Sequence, residues 1–314
     1  MTERVVVSPV VDKREPGDIV ADELLEMYFD PDAKELQHIG SYELPSDREL
    51  DQIIEMTRAL LFPGYAGPDI ARGTRADVRE VVRIRVAELR VALKRQVYRA
   101  LHHKQQQALG LHDLDSVESR TQADRIADAF LTKLPELRCR LLIDLRAAYE
   151  SDPAATGIDE ILFCYPGTYA VTTYRIAHFL WRQGALVVPR MMTELAHRRT
   201  GIDIHPGAEI GAAFFVDHGT GVVIGETTLI GERVRIYPGV TLGALSVPQS
   251  DQRPEPGKRR HPTIEDDVVI YANATILGGE TTIGRGSIIG GNAFVTTSVP
   301  PGSRVPGSSR TQRP

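Results

Sequence analysis

Three histidines and the charged residues beside them carry the chemistry that this amino-acid sequence has to offer. His205 lies two positions after Asp203, His218 directly follows Asp217, and His261 directly follows Arg260. An imidazole paired with a carboxylate suits general-base work: the acid fixes the ring's tautomer and stabilises the cation formed on proton capture. Asp203 precedes His218 by 15 positions, near the length of one coil of the repeat that contains both. The two are therefore expected to stack as a dyad. A surface histidine in a solvated turn fits the same residues.

The elements that must position these residues change character at Gly201. Beyond it, aliphatic residues recur every six positions: Ile204, Ile210 and Val216, then after a two-residue slip Ile224, Ile230, Ile236 and Leu242. The series resumes at Ile264, Ile270 and Ile276, slips by one, and continues at Ile283, Ile289 and Val295. A sustained six-residue period is the mark of a solenoid, in which three repeats of about 18 residues make one triangular coil. The aliphatic points inward, and the glycine that often follows it (Gly211, Gly225, Gly231, Gly284) is expected to permit the corner geometry. One polar, proline-rich stretch, SVPQSDQRPEPGKRRHPT at 246–263, breaks the register and is expected to leave the prism as a loop. Three histidines also suit zinc. The H-x-x-x-x-H spacing of hexapeptide-repeat carbonic anhydrases is missing, however, the gap from His205 to His218 being 13, so no metal is expected.

Before Gly201 the periodicity is helical. Ser46 is a candidate N-cap for a helix to Phe62 with Leu50, Ile53, Ile54, Thr57, Leu60 and Leu61 on one face. A long helix follows over 75–109, whose arginines are interleaved with Asp77, Glu80 and Glu88 and read as a solvated face. A third runs from Thr121 to Glu150, kinked or divided at Pro135. Two shorter ones cover 167–183 and 185–197. The fold class is thus α+β: a 1–45 extension, partly disordered; an α-helical domain over 46–200; a left-handed parallel β-helix over 201–300 with the loop 246–263; and a short tail, 301–314. A net charge of −5 gives no support to nucleic-acid or membrane-surface binding. No run of about 18 apolar residues is present, and the N-terminus does not read as a signal peptide. Cys139 and Cys164 are expected to be buried thiols of a cytoplasmic protein.

The runs GIDIHPGAEIGAAFFVDHGTGVVIGET, VTLGAL and RRHPTIEDDVVIYANATILGG resemble the serine acetyltransferases of cysteine biosynthesis. Upstream, YESDPAATGIDEILFCYPGTYAVTTYRIAHFLWRQG is similar to the family's helical domain, and the resemblance covers roughly residues 145 to 300. It implies transfer of acetyl from acetyl-CoA to the L-serine hydroxyl, with His218 as general base and Asp203 as its orienting partner. Asp152 and Asp217 match carboxylates that receive the serine ammonium, and Arg260 and His261 match the pair that recognises its carboxylate. Gly243 and Ala244 lie where the family binds acetyl-CoA near its thioester, and Ala272 corresponds to a pantetheine contact. No cofactor is bound permanently. The resemblance further implies a homotrimer with sites between neighbouring prisms, trimers pairing into hexamers in many relatives, and L-cysteine as feedback inhibitor. The ending VPGSSRTQRP lacks the terminal isoleucine that inserts into O-acetylserine sulfhydrylase, which argues against that complex. A hexapeptide acyltransferase acting on another amino acid, a sugar or an amine is the alternative. A non-catalytic scaffold or metal-dependent hydratase on the same prism is a third reading.

Overall fold

Ser46 sits extended and accepts the Glu49 amide (3.5 Å), which starts α2 (Asp47–Leu61) where an N-cap serine was expected. The computed structural model describes residues 15–30, 32, 38, 43–67, 73–109, 116–245 and 258–307. Residues 1–42 form one unit, and Glu43–Pro314 another. In the first, the stretch expected to be an extension contains α1 (Pro16–Tyr28), with Leu24 and Leu25 exposed.

In the second unit, α2 buries Leu50, Ile53, Ile54, Thr57 and Leu61, the face read from its periodicity. Helix α3 (Arg75–Leu109) buries Leu89, Leu93 and Val97. Part of its basic face is paired with its neighbours rather than only solvated. Arg90 and Lys94 bind Asp124 and Asp128, and Arg99 binds Glu49. Helix α4 (Val117–Ser151) continues through Pro135, so the helix is not divided there. A short α5 (Ile158–Cys164) was not anticipated; α6 (Pro166–Arg182) and α7 (Val187–Thr200) were, within a few residues. Gly201, at φ 72°, ends α7 in the left-handed C-cap conformation. Cys139 and Cys164 are both exposed, which corrects their reading as packing thiols. Among the described residues no helix is long and apolar enough to cross a membrane.

Among the described residues the chain makes fourteen strands of two or three residues from Asp203 on: β1 (Asp203–Ile204), β2 (Glu209–Ile210), β3 (Phe215–Val216), β4 (Val223–Ile224), β5 (Leu229–Ile230), β6 (Arg235–Ile236), β7 (Thr241–Gly243), β8 (Thr263–Ile264), β9 (Val269–Ile270), β10 (Thr275–Leu277), β11 (Thr282–Ile283), β12 (Ile288–Ile289), β13 (Phe294–Val295) and β14 (Arg304–Val305). Every third strand up to β13 joins the same sheet, and β14 closes on β12, in the orders β1-β4-β7-β10-β13, β2-β5-β8-β11 and β3-β6-β9-β12-β14, all parallel. The chain therefore winds round three faces in turn, and the six-residue aliphatics line the inside: Ile224, Ile236, Leu242, Ile264, Ile276 and Ile289 are at most 1% exposed. Ile204 stacks on Ile224 and Ile224 on Leu242, so the first coil is longer than the second by the two-residue slip. Leu242 then stacks on Ile276, almost two coil lengths further along, because the chain leaves the prism between β7 (Thr241–Gly243) and β8 (Thr263–Ile264). Residues 258–262 lead back into the coil; the rest of the expected loop, 246–257, lies outside the described residues.

Two sequence expectations need correction here. The glycines after the inward aliphatics have no positive φ. They make room instead: a Cβ on Gly231 would lie 2.7 Å from the Asp266 amide of the next coil. The left-handed corner residue comes two positions later, at Arg233, Asp267, Asn273 and Asn292 among others. The coil also runs past 300, since Arg304–Val305 pairs with β12 (Ile288–Ile289). The tail thus begins later than 301, and 308–314 lie outside the described residues.

A buried ion pair locks helices to coil. Arg175 of α6 donates to both oxygens of Asp144 of α4 (2.8 and 3.0 Å) and to the carbonyls of Ile210 and Gly211 (2.9 and 2.6 Å). Asp144 accepts the Phe214 amide as well (3.1 Å), and the Tyr174 hydroxyl donates to the Ala208 carbonyl (2.6 Å). The C-terminal part of α4 and the middle of α6 are thereby held against the first coil at Ala208–Phe214, just before the corner of His218.

Candidate active site

The two-residue slip between Val216 and Ile224 is an enlarged corner between β3 (Phe215–Val216) and β4 (Val223–Ile224). His218 stands on it in the left-handed region (φ 51°), followed by Gly219 and Gly221 at φ 80° and 79°. The coil's other corners also hold non-glycine residues in this region, Arg233 and Asp267 among them; the two left-handed glycines that follow are what set this corner apart. Its ring is 82% exposed, with Nε2 3.8 Å from Asp217 Oδ1. Asp152, the C-cap of α4, faces the same corner. Its Oδ2 accepts the Tyr165 hydroxyl (2.5 Å) and its Oδ1 the Ala154 amide (2.9 Å). These bonds, Tyr165's first, hold the Asp152 carboxyl below its usual range, and the charge of His218 acts in the same direction. Above Asp217 in the next two coils, Tyr237 and Tyr271 stack with centroids 5.1 Å apart.

Asp203 is not joined to His218 by any hydrogen bond or ion pair among the described residues. Its Oδ1 accepts from Arg190 of α7 (3.1 Å), which also pairs with Glu194. The stacking expected from the sequence fails because this coil is longer than the repeat suggests: Asp203 stacks beneath Val223, past the corner that carries His218. Glu194, His197 and Asp203 lie close enough to share a cation, but the guanidinium of Arg190 already neutralises two of the three.

A second polar cluster occupies the next corner, at the far end of β4 and β7. His261 is 7% exposed. Its Nδ1 accepts the Thr227 amide (3.1 Å) and lies 2.9 Å from the Thr227 hydroxyl, so the ring proton is on Nε2. Nε2 lies over Gly225, where a Cβ would strike the ring. Burial first, and then the Arg260 charge, push the His261 pKa down to about 4, so the ring is a neutral donor at physiological pH. The Thr227 hydroxyl oxygen also accepts the amides of Arg260 (3.0 Å) and His261 (3.2 Å), and the Arg260 guanidinium pairs with Glu226. His205 lies beside them, its Nδ1 accepting the Gly207 amide (3.0 Å) and its ring edge-on to Trp181 at 5.1 Å; burial lowers its pKa.

The expected site residues thus fall into two groups. Asp152, Asp217 and His218 share the first corner with Ala272, which follows Tyr271. Arg260 and His261 share the second with Gly243, which ends β7 one coil above Gly225, and with Ala244 beside it. The β4 face lies between, from Gly221 to Glu226, or roughly 16 Å at about 3.3 Å per residue.

A protein named "Serine acetyltransferase, plasmid", from Synechococcus elongatus, is 44% identical over 291 residues, which is 92% of this chain and 89% of that relative. The chain belongs to the serine acetyltransferase family. Among solved structures, serine acetyltransferase 1 of Entamoeba histolytica in complex with L-cysteine superposes with a TM-score of 0.69 at 35% identity, covering 91% of this chain and 96% of that one. The Neisseria gonorrhoeae serine acetyltransferase in complex with serine does so at 0.52 and 26%, covering 88% of this chain and 100% of that one. No protein-family model matches the chain.

Within this family fold, sequence reasoning missed Tyr165, Arg190, Glu226, Thr227, Tyr237 and Tyr271. A signal for four of them was present. Glu226 and Arg260, Thr227 and His261, and Tyr237 and Tyr271 are all separated by one and the same interval, the one that carries Leu242 to Ile276 across the excursion. Once that interval is known, each pair stacks.

Proposed function

We propose that this chain transfers acetyl from acetyl-CoA to the hydroxyl of L-serine, giving O-acetyl-L-serine and CoA, with His218 as the base. The observation that carries the reading is an exposed imidazole on an enlarged corner, facing the Asp152 and Asp217 carboxylates. Asp152 and Asp217 take the ammonium group. Arg260, by its guanidinium, and His261, by its Nε2–H, take the carboxylate. His218 accepts the hydroxyl proton as the oxygen attacks the thioester carbonyl. A backbone amide near Gly243 and Ala244 receives the oxyanion, and Ala272 borders the pantetheine arm. On collapse the C–S bond breaks and the CoA thiolate takes the proton back from the imidazolium. Asp203 would have to exchange Arg190 for His218 to serve as its orienting partner.

One serine cannot span the face that separates the two corners of one chain. We therefore infer that each site joins the first corner of one chain to the second corner of its neighbour, in a homotrimer of left-handed coils. Trimers pairing into hexamers follow the wider family, and L-cysteine, bound by the Entamoeba relative, acts here as a competing ligand of the serine site. Residues 46–200 act as the helical domain and 201 onward as the acyltransferase domain. The exposed, unpaired thiols of Cys139 and Cys164 suit the reducing cytoplasm.

The test is thiol release from acetyl-CoA with L-serine, against homoserine and threonine, with and without L-cysteine. His218→Ala should lower kcat by about 10²- to 10⁴-fold while leaving the assembly folded; undiminished turnover would reject the base. Mixed, reassembled chains carrying His218→Ala and Arg260→Ala should regain activity through sites that take the unaltered first corner of an Arg260→Ala chain and the unaltered second corner of a His218→Ala chain. No recovery from verified mixed oligomers would reject the shared site.

A further inference from the structure

Tyr165 links α5 to α6 in an extended conformation (φ −82°, ψ 116°), the conformation that a following proline favours. Pro166 then opens α6 at a position where its missing N–H costs nothing. Gly167 comes next, with the carbonyl of Val216 in the space that a Cβ would fill. The first turn of α6 is thereby seated on the coil two residues before His218. From this seat the Tyr165 hydroxyl donates to Asp152 Oδ2 at 2.5 Å, while Oδ1 is held by the Ala154 amide at 2.9 Å. A carboxylate gripped at both oxygens keeps one orientation and still has lone pairs free for a third donor.

We propose that Tyr165 is a positioning residue for the amino-acid acceptor, holding Asp152 in the orientation that receives the substrate ammonium beside His218. This rests on Asp152 being the partner of that ammonium. The bond persists through the working range, because the Asp152 hydrogen bond and burial push the Tyr165 pKa up to about 12 and the hydroxyl stays protonated. It also keeps Asp152 ionised at lower pH than a free carboxylate. Loss of the hydroxyl leaves the acid held at one oxygen only, by the Ala154 amide, and easier to protonate.

Tyr165→Phe retains the ring and removes the one bond. The KM for L-serine should rise about tenfold, the low end for a hydrogen bond to a charged group, with kcat and the KM for acetyl-CoA changed less than twofold. The acid limb of kcat/KM for serine should move to higher pH. Asp152→Asn should raise the same KM, and adding Tyr165→Phe to it should cost little more, because the two act as one unit. An unchanged serine KM in Tyr165→Phe, a parallel change in kcat and in the acetyl-CoA KM, or a fully additive double variant would each overturn the proposal. If the wild type acetylates serine and Tyr165→Phe matches it throughout, only this inference falls. If the wild type turns over no amino acid at all, the acceptor assignment falls with it.

Discussion

Removal of Asp144 should loosen the joint on which the first corner depends. Asp144 and Arg175 are buried, 5% and 8% exposed. Asp144→Ala leaves the guanidinium without its countercharge and the Phe214 amide without its acceptor. Breaking a buried pair from one side costs about 3–5 kcal/mol, and the stranded amide adds about 1 kcal/mol or more. The expected loss is about 4–6 kcal/mol, read from urea unfolding by circular dichroism at one fixed protein concentration, because assembly contributes to apparent stability. A second variant separates the stranded charge from general damage. Asp144→Leu combined with Arg175→Met removes both charges, and apolar replacement of a buried pair is often tolerated. The Ile210 and Gly211 carbonyls still lose their donor, so recovery should be partial, about 2 kcal/mol. Serine turnover in Asp144→Ala should fall even below its unfolding temperature, since α4 and α6 carry Asp152 and Tyr165. A loss under about 1 kcal/mol for the single variant, or a double variant weaker than the single, would refute the account.

Gly225→Ala places a methyl group in the space of the His261 ring and must displace it from Thr227, so the serine KM should rise about 10- to 100-fold; an unchanged KM would remove His261 from the substrate site. His261 also makes stability depend on pH. The unfolded ring binds a proton below about 6.5 and the folded ring only below about 4, so its contribution is complete above pH 6.5 and is lost as pH falls through that window. The full effect is roughly 3 kcal/mol, and His205 and His178, lowered by burial, add in the same direction. Urea midpoints from pH 7 to pH 4 should fall, and less steeply in His261→Gln; equal slopes in the two proteins would contradict the buried neutral ring.

Much of the architecture was legible because its signal is local and repeated. A six-residue aliphatic period has few three-dimensional solutions, and the predicted inward positions from Ile204 to Val295 line the coil, all buried except the half-buried Ile210. The two-residue slip after Val216 was visible too, but not its consequence, the enlarged corner that carries His218 and takes Asp203 out of register with it. The α5 helix escaped notice because seven residues give too short a period, and Pro135 sits in an unbroken helix because the surrounding packing overrides local preference.

What only the tertiary structure decided is which residues meet. By itself the sequence determined the repeat, the helical half, the family and the residue types that such a site needs. Contact depends on coil length, and here no two coils match: Asp203, Val223, Thr241, Thr275 and Phe294 are successive partners along one face, at unequal steps. A two-residue difference moves a side chain past a corner. Asp203 thereby misses His218 and meets Arg190, whereas Thr227 and His261, far apart in the chain, share a hydrogen bond. Distance along a coiled chain converts to distance in space only once every turn has been counted.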